Sequence, residues 1–258
     1  MSSSLAQFKA LHQASELFVL PNAWNAKSAA SFQEQNFSAV GTSSAAVASS
    51  LGYDDGEQLP FEEYLLIVRR ILASVKIPVT VDIEMGFGNT NEAILKNIQQ
   101  LVDLGVAGIN IEDSQIIDGV RTLKDAKQFA ATIEYIKNKL AAKNQDIFIN
   151  LRSDTYLLNV ANKHSETVTR LKLYNNTGAD GIFLPCITAE EDIAAAVGVS
   201  SLPLNVMCIP GLPDFEQLNK LGVKRASMGP FFFSKVYEEV GQLANAVRSS
   251  YSFASILS

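Results

Sequence analysis

Two short stretches place carboxylates where buried strands should end. Asp82 and Glu84 end a run that reads PVTVDIE, and Glu112 and Asp113 end another that reads GINIED. Both runs are rich in β-branched residues, as in strands that are buried on both faces. Asp82 and Glu84 would point the same way from a strand, roughly 6 to 7 Å apart, so one hydrated divalent cation can bridge them. The alternative is that these carboxylates only cap the helices that follow.

The composition indicates one folded domain. The chain has 258 residues, of which 47% are apolar and 19% charged, and no Pro-, Gly- or Ser-rich stretch divides it. This length suffices for one large α/β core, so we predict a single domain over residues 1–258. The net charge is -6 and no Lys/Arg cluster stands out, which argues against nucleic-acid and membrane-surface partners.

No targeting or membrane segment is evident in the sequence. The N-terminus, MSSSLAQFKALHQ, lacks the apolar core of a signal peptide, and no segment reaches the ~20 apolar residues of a membrane span. We therefore expect a cytoplasmic protein. In that reducing compartment Cys186 and Cys208, which lie in apolar runs, should stay unpaired.

Strand and helix patterns alternate along the whole chain. Eight apolar strand candidates contain LFVL, NFSAV, PVTV, GINI, DIFIN, GIFL, PLNV and KRAS, and each precedes a helix candidate. Alternation of this kind over about 250 residues predicts a (β/α)8 TIM barrel. The alternative is an open doubly wound sheet, but no glycine-rich phosphate loop follows the first strand, where the chain reads PNAWNA.

The active site of a barrel lies at the carboxyl ends of its strands, so the polar residues there form one set. That set comprises Asn22, Trp24, Thr42 to Ser44, Asp82, Glu84, Glu112, Asp113, Arg152, Asp154, Pro185, Asn205, Met228 and Gly229. Several carboxylates without histidine suit Mg2+, with Mn2+ as a second choice, rather than zinc. His12 and His164 fall on helix segments and are predicted to be solvated surface residues.

Arg152 and a run of small polar residues supply candidate anion donors. The planar fork of Arg152 suits a carboxylate or phosphonate, although a structural ion pair would also explain it. Residues 42–50 are predicted to form a small-residue loop in which Thr42, Ser43 and Ser44 offer hydroxyl and N–H donors, or simply make a turn. These pieces predict a pocket for a small 2-oxo or 2-hydroxy acid chelated to a metal.

Six segments resemble the isocitrate lyase and phosphoenolpyruvate mutase superfamily. They read LPNAWNAKSA, VGTSSAAVASSLGYDDG, VDIEMGFG, GINIEDS, INLRSD and PLNVM, in the family's order, between about residues 20 and 229. The resemblance implies a barrel of the phosphoenolpyruvate/pyruvate-binding type. It also implies cleavage or rearrangement of C–C or P–C bonds in 2-oxo or 2-hydroxy acids, through enolates and with Mg2+.

The same resemblance implies roles for individual residues. Asp82 would bind the metal directly, Glu84 and Glu112 would act mostly through metal-bound water, and Asp55 would support that water network. Arg152 would hold the substrate oxyanion, and Ser43 and Ser44 would bind the substrate carboxylate through backbone N–H groups. The predicted substrate-binding residues are thus Trp24, Thr42, Ser43, Ser44, Arg152 and Asn205, and the predicted catalytic residues are Arg152, Asp55 and Glu112.

The chain departs from the family's lyases in two places. The loop after the IED motif reads SQIIDGVRTLKD and lacks the cysteine that acts as acid/base in isocitrate and methylisocitrate lyases. Pro185 stands where those lyases have a glutamate, so neither lyase activity is assigned. The lysine and asparagine of phosphonopyruvate-handling members are not evident either, although Arg121 and Lys124 bring positive charge. Cys186 is interpreted as core packing, with a catalytic role as the alternative.

The loop over residues 114–122 is predicted to be a mobile cover for the pocket. Gly119 would be its hinge, and Asp118 or Arg121 would enter the pocket on closure. An exposed connector without a role is the alternative. The last helix opens with three consecutive phenylalanines, which predicts a homo-oligomer, dimer or tetramer, that buries them.

Together these features predict a Mg2+-dependent lyase. Its substrate would be a small 2-oxo or 2-hydroxy (di)carboxylic acid such as oxaloacetate or a methylmalate-like acid, cleaved or decarboxylated through an enolate. Two alternatives stay open: P–C bond chemistry on phosphonopyruvate or phosphoenolpyruvate, and a barrel that binds small acids without catalysis.

Overall fold

The computed structural model of the protein describes residues 3–257 as alternating strands and helices. The strands are β1 (Phe18–Leu20), β2 (Asn22–Ala23), β3 (Val40–Thr42), β4 (Val79–Asp82), β5 (Gly108–Glu112), β6 (Ser114–Ile117), β7 (Val120–Leu123), β8 (Phe148–Arg152), β9 (Gly181–Leu184), β10 (Leu204–Met207) and β11 (Arg225–Ser227). The helices are α1 (Ser4–Gln13), α2 (Ala26–Glu34), α3 (Ser44–Ser50), α4 (Phe61–Ser74), α5 (Asn91–Asp103), α6 (Ala126–Ala141), α7 (Lys163–Tyr174), α8 (Glu190–Val199), α9 (Phe215–Lys220), α10 (Phe231–Ser250) and α11 (Ala254–Leu257).

The main sheet closes almost completely into a barrel. Its 9 segments run in the order β1-β11-β10-β9-β8-β5-β4-β3-β2, and every pairing between them is parallel. β1 pairs with β11 and β2 pairs with β3, and only Pro21 separates β1 from β2 in the chain. The two segments are therefore halves of one strand, and the predicted (β/α)8 barrel is confirmed.

Local sequence signals begin several of the helices. Asn25 caps α2 through a reciprocal pair of hydrogen bonds with Ser28, and Asp125 caps α6 by accepting the N–H groups of Lys127 and Gln128. The helices then pack apolar faces against the outer faces of the strands, and this layer forms the main hydrophobic core. The core thus holds the strand ends in place around a common axis.

A second, smaller core closes the barrel at the amino ends of its strands, which we call the lower end. Phe8 of α1 is fully buried there, and its ring lies 5.2 Å from that of Phe148. His12 stacks on Phe148 at 4.1 Å, and its Nδ1 donates to the carbonyl of Phe8 at 2.9 Å. The prediction that His12 is a solvated surface residue is therefore wrong. Helix α1 packs against the barrel mouth and buries His12 together with Phe8. His164 is exposed and paired with Asp192, as predicted.

Two segments that were predicted as loops are regular structure. Residues 44–50 form helix α3, with the Ser43 hydroxyl accepting the N–H of Ala46 at its start. Strands β6 and β7 pair as an antiparallel hairpin, whose turn residues Asp118 and Gly119 both have positive φ, 52° and 78°. An Asp-Gly pair favours such a two-residue turn, so the segment forms a hairpin in place of an irregular loop.

Helix α10 contacts the barrel at its start, where Phe232 and Phe233 pack on Phe32 and Trp24, and leaves much of its length exposed. It has 20 residues, and none of its side chains is buried. Phe231 and Phe232 at its start are 41% and 46% exposed. In the part of the chain that the structure describes, no helix is long and apolar enough to cross a membrane.

Candidate active site

A polar cavity opens at the carboxyl ends of the strands, which we call the upper end. Its volume is about 170 Å³. Its lining residues are Asn22, Ser43, Ser44, Ala45, Asp55, Asp82, Asn110, Arg152, Leu157, Phe183, Pro185, Met207, Ser227, Gly229 and Pro230. Residues from all eight strands of the barrel, or from the loops that follow them, therefore meet in one place.

Asp82, the last residue of β4, is held from three sides. Its N–H donates to the Thr42 hydroxyl at 3.0 Å, and its carbonyl accepts from the Tyr64 hydroxyl at 2.8 Å. The Ser44 hydroxyl donates to its carboxylate at 3.1 Å. Burial raises the pKa of Asp82, and the nearby Arg152 opposes that shift. The carboxylate is thus fixed in position but only partly neutralised.

Glu84 lies two residues further on, in a strained backbone position. Its φ is 49°, in the left-handed region that non-glycine residues rarely adopt. This turn buries the carboxylate, which accepts the N–H of Glu57 at 2.9 Å. Burial raises the pKa of Glu84 to about 9, and the charges of Asp55 and Asp82 add to the shift.

Arg152 at the end of β8 connects the carboxylates. Its Nη1 lies 3.0 Å from Glu112 and 3.9 Å from Asp82, while Nε and Nη2 bind Asp154 at 2.6 and 3.2 Å. Burial disfavours its charge, but Glu112 and Asp154 more than compensate and the pKa of Arg152 is raised. The guanidinium therefore makes a structural ion pair and also lines the cavity, and its role as an anion donor stays a prediction.

Glu112 lies where the β6–β7 hairpin reaches the site. Arg121 of the hairpin pairs with the Glu112 carboxylate and also contacts Asp55 at 3.3 Å. The Ser114 hydroxyl lies 2.7 Å from Glu112 and 2.8 Å from Asp154 and donates its single proton to one of them. Burial raises the pKa of Glu112 to about 7, with Arg152 opposing the shift. Of the two predicted gating residues, Arg121 reaches the site, while Asp118 lies exposed at the turn beside Gly119.

The donor set suits a hard cation that is held mainly by one carboxylate. Within residues 3–257 no three His, Cys, Asp or Glu side chains converge closely enough to enclose a metal by themselves. Burial is the main cause of the raised pKa values of Asp82, Glu84 and Glu112, and a cation beside them would favour their charged forms. Mg2+ commonly binds one or two carboxylates and keeps several waters, so the set fits that ion.

Asp113 points away from the cavity, although it follows Glu112 directly. It accepts from Tyr174 at 2.8 Å, from Ser153 at 2.8 Å and from Arg170 at 3.1 Å. Its other oxygen accepts the N–H of Asp154 at 3.0 Å. Asp113 thereby fixes the chain next to Arg152 and has a structural role.

The remaining predicted substrate residues divide into two groups. Ser43 and Ser44 line the cavity, but the Ser43 N–H is already bonded to the Ala23 carbonyl at 3.1 Å. No described group accepts the Ser44 N–H, which leaves it as the available donor of the two. Thr42, Trp24 and Asn205 lie outside the lining: Thr42 supports Asp82, Trp24 packs on Phe233 at 5.3 Å, and Asn205 is bonded to Ser227 at 3.1 Å.

Asn110 lines the cavity but was missed from the sequence, whereas Asn22 belonged to the predicted set at the strand ends. Asn110 lies two residues before Glu112, and a strand places residues two apart on the same face, so its position was predictable. Asn22 holds the neighbouring loop, because its Oδ1 accepts the N–H groups of Met228 and Gly229, both at 2.9 Å. Cys186 is half-buried beyond Pro185 and does not line the cavity.

Comparison with known proteins places this arrangement in a family. The family model for phosphoenolpyruvate phosphomutase matches residues 8–248. The chain belongs to that family. It is thus a member of the isocitrate lyase/PEP mutase superfamily, as the sequence motifs predicted.

Three relatives of this family member illustrate its range. The uncharacterized protein Rv1998c of Mycobacterium tuberculosis is 35% identical over 93% of this chain and 88% of its own length. An oxaloacetate decarboxylase of Bradyrhizobium sp. (strain BTAi1) is 27% identical over 69% of this chain and 60% of its own length. A Burkholderia cenocepacia J2315 structure, proposed to be a phosphonomutase, has a TM-score of 0.87 and 30% identity, covering 94% of this chain and 98% of that one.

Proposed function

We propose that the protein is a Mg2+-dependent lyase of a small 2-oxo or 2-hydroxy dicarboxylic acid, acting by decarboxylation or C–C cleavage through an enolate. The observation that carries the proposal is that Asp82 and Arg152 line one cavity of about 170 Å³. Glu112, which pairs with Arg152, and Glu84, two residues after Asp82, lie outside the lining. Such a cavity suits a small acid, and its charged groups suit a cation and an oxyanion together.

Each side chain has a place in this chemistry. Mg2+ or Mn2+, when bound, supplies Lewis-acid charge for the substrate's oxygens. Asp82 would hold the ion, since Thr42, Tyr64 and Ser44 fix its position. Arg152 would hold the oxygen on which charge develops, and its bonds to Asp154 keep its fork still while it does so. The Ser44 N–H would bind a substrate carboxylate.

Decarboxylation requires fewer catalytic groups than the alternative reactions. When CO2 leaves a 2-oxo dicarboxylic acid, the electron pair of the broken C–C bond passes into the carbonyl, and no base has to remove a proton. Among the described residues lining the cavity there is no cysteine, histidine or lysine that would act as such a base. The chain also aligns with an oxaloacetate decarboxylase, which supports the same choice.

The experiment is a substrate survey with metal control. Oxaloacetate, methylmalate-type acids and phosphonopyruvate would be incubated with the protein in Mg2+, after EDTA, and after Mg2+ or Mn2+ is restored. We expect turnover of oxaloacetate or a methylmalate-type acid that EDTA abolishes and either metal restores. Because Mg2+ alone decarboxylates oxaloacetate slowly, the rate with the Asp82→Ala protein is the baseline.

The family match favours P–C bond chemistry as the second candidate. Its model is that of phosphoenolpyruvate phosphomutase, and the fork of Arg152 suits a phosphonate as well as a carboxylate. Turnover of phosphonopyruvate alone would select this candidate. Mg2+-dependent binding of oxalate without turnover of any acid would select a third, the non-catalytic binding barrel.

We also propose that the β6–β7 hairpin covers the site. Arg121 ties it to Glu112 and Asp55, and Ile116 lies against Gly56, which has no side chain to obstruct it. Hydrogen exchange of residues 114–123 would be compared with Mg2+ plus oxalate and without them. Slower exchange in the complex is expected, and equal rates would mean that the hairpin is no lid.

Helix α10 supports the proposal of a homo-oligomer. Phe232, Val236, Tyr237 and Val240 are 46%, 36%, 50% and 53% exposed, and their helical spacing places them on one apolar side that is left in water. A dimer or tetramer would bury it. Light scattering at micromolar concentration decides the point, because a monomer there contradicts the proposal.

A further inference from the structure

A layer of buried polar side chains crosses the barrel beneath the cavity. Asn110, Asn150, Asn205 and Arg225 come from β5, β8, β10 and β11, and each is at most 6% exposed. Asn150 Nδ2 donates to Asn110 at 2.9 Å and contacts Asn205 Oδ1 at 3.5 Å. Gly181 leaves room for this layer, since a Cβ there would lie 2.7 Å from Asn150 Oδ1. The layer is therefore built into the packing of the strands.

Arg225 determines which way the Asn110 amide faces. Its Nη2 lies 2.8 Å from Asn110 Oδ1, and an arginine can only donate. The oxygen of the amide must therefore face Arg225, and the second donor, Asn150, binds the same oxygen. It follows that the NH2 group of Asn110 faces the other way.

The Asn110 NH2 group meets the cavity without a protein acceptor. Asn110 is the only residue of the four-residue layer that lines the cavity. No described group accepts from its Nδ2, whereas the amide of Asn22 is used at both ends, by Thr42 and by the N–H groups of residues 228 and 229. An oriented amide donor that opens on a cavity and has no protein acceptor is available to a ligand oxygen bound there.

We propose that Asn110 donates a hydrogen bond to an anionic oxygen of the bound acid and so helps to determine which acids bind. The inference rests on the proposed function, because it assigns an additional contact in the same cavity. The charge of Arg225 behind the amide favours an anionic acceptor over a neutral one. Arg225 does not line the cavity, so it acts as a positioning residue.

The test is calorimetric binding of oxalate in saturating Mg2+, with Mg2+ affinity measured separately. Asn110→Ala should weaken oxalate binding about tenfold or more, since a hydrogen bond to a charged group is lost. Asn110→Asp should weaken it further, because an acceptor replaces the donor while Arg225 keeps its partner. Mg2+ affinity without oxalate should not fall in either variant.

Asn150→Ala is the matched control. It removes another amide from the layer, but Arg225 still orients Asn110, so oxalate should bind within about twofold of wild type. Asn110→Ala binding oxalate as wild type does, or Asn110→Asp binding it more tightly than Asn110→Ala, would overturn the inference. If Asn110→Ala does not fold, Asn110→Asp is compared with wild type instead. Oxalate binding to Asn110→Asp that is equal to wild type or tighter overturns the inference.

The positioning role of Arg225 is tested by rescue. Arg225→Met should lose oxalate affinity to the same degree as Asn110→Ala, because the amide is free to turn, and Arg225→Lys should regain most of it. Full affinity in Arg225→Met overturns this role. If wild type itself binds no oxalate in Mg2+, both the proposed function and this inference fail. If wild type binds oxalate and the variants bind it equally well, only the inference fails.

Discussion

At the upper end of the barrel the buried charges face a cavity, whereas at the lower end they face a plug of aromatic rings. Asp82 lines the cavity and Glu84 and Glu112 lie close to it in the same site, and burial raises the pKa of all three carboxylates. At the lower end His12 stacks on Phe148, and the Arg225 guanidinium lies 6.0 Å from the centre of the Phe8 ring.

The difference separates binding from stability. Buried carboxylates at the upper end are unfavourable for folding and favourable for binding a cation. Substitutions there should therefore change binding more than stability. The lower end fills the barrel mouth with packed rings, so substitutions there should change stability more than binding. Each of the following variants tests that separation.

Asp82→Ala should have the largest effect. Removing the carboxylate that is proposed to hold the ion should lower kcat/KM by about 10³-fold or more, roughly 4 kcal/mol of transition-state stabilisation. The fold should survive, because burial already disfavours this charge. Calorimetry with Mg2+ and thermal unfolding measure both quantities.

Asp146→Ala is the control at the opposite end. Asp146 lies just before β8 and pairs with Lys9 and Lys137 on the surface. Its removal should leave Mg2+ affinity unchanged. Equal Mg2+ affinity in wild type and Asp82→Ala would remove Asp82 from the metal site.

Phe8→Ala should have the largest effect on stability. The ring is fully buried between the barrel mouth and Phe148, so its loss should cost about 3–5 kcal/mol of unfolding free energy. Mg2+ affinity of the folded variant should stay as in wild type. Urea unfolding measures the loss of stability, and calorimetry measures the Mg2+ affinity. A matching loss of Mg2+ affinity would show that the two ends are coupled.

Arg152→Lys should have an intermediate effect on catalysis. The charge stays but the fork that holds Asp154 and reaches Glu112 is lost, so KM should rise and kcat should fall, together by about 10- to 100-fold in kcat/KM. Steady-state kinetics measures this. Unaltered kinetics would confine Arg152 to its structural ion pair.

The barrel and the acidic end of the site were predictable for a physical reason. Buried parallel strands have continuous apolar runs, and a carboxylate at the end of such a run has to face the cavity or a partner. Asp82, Glu112 and Arg152 follow this rule. Asp113 follows it on the other face of its strand, where its partners are Arg170 and Tyr174.

Other features depend on tertiary structure that the local pattern does not contain. The small residues of α3 show no helical spacing of apolar positions. The pattern therefore predicts a loop where the structure forms a helix. The Asp118-Gly119 pair does carry a hairpin signal, and the prediction missed it. The burial of His12 and Arg225 follows only from closure of the barrel, since both residue types are usually exposed.

His12 offers the smallest and most selective test of the lower end. Burial and the charge of Arg225 lower the pKa of His12 to about 3, from 6.5 in an unfolded chain. A lowered folded-state pKa gives stability that is complete above pH 6.5 and is lost as pH falls toward 3. The loss at pH 5 should be about 2 kcal/mol relative to pH 7.

Comparing wild type with His12→Gln isolates this contribution. The upper-end carboxylates act in the opposite sense, because a raised carboxyl pKa favours the folded state as pH falls, but they are common to both proteins. Urea unfolding at pH 7, 6 and 5 should therefore show wild type losing about 2 kcal/mol more than His12→Gln. Parallel losses in the two proteins would mean that His12 takes up its proton without opening the plug, and the lower end would then be less tightly packed than its rings indicate.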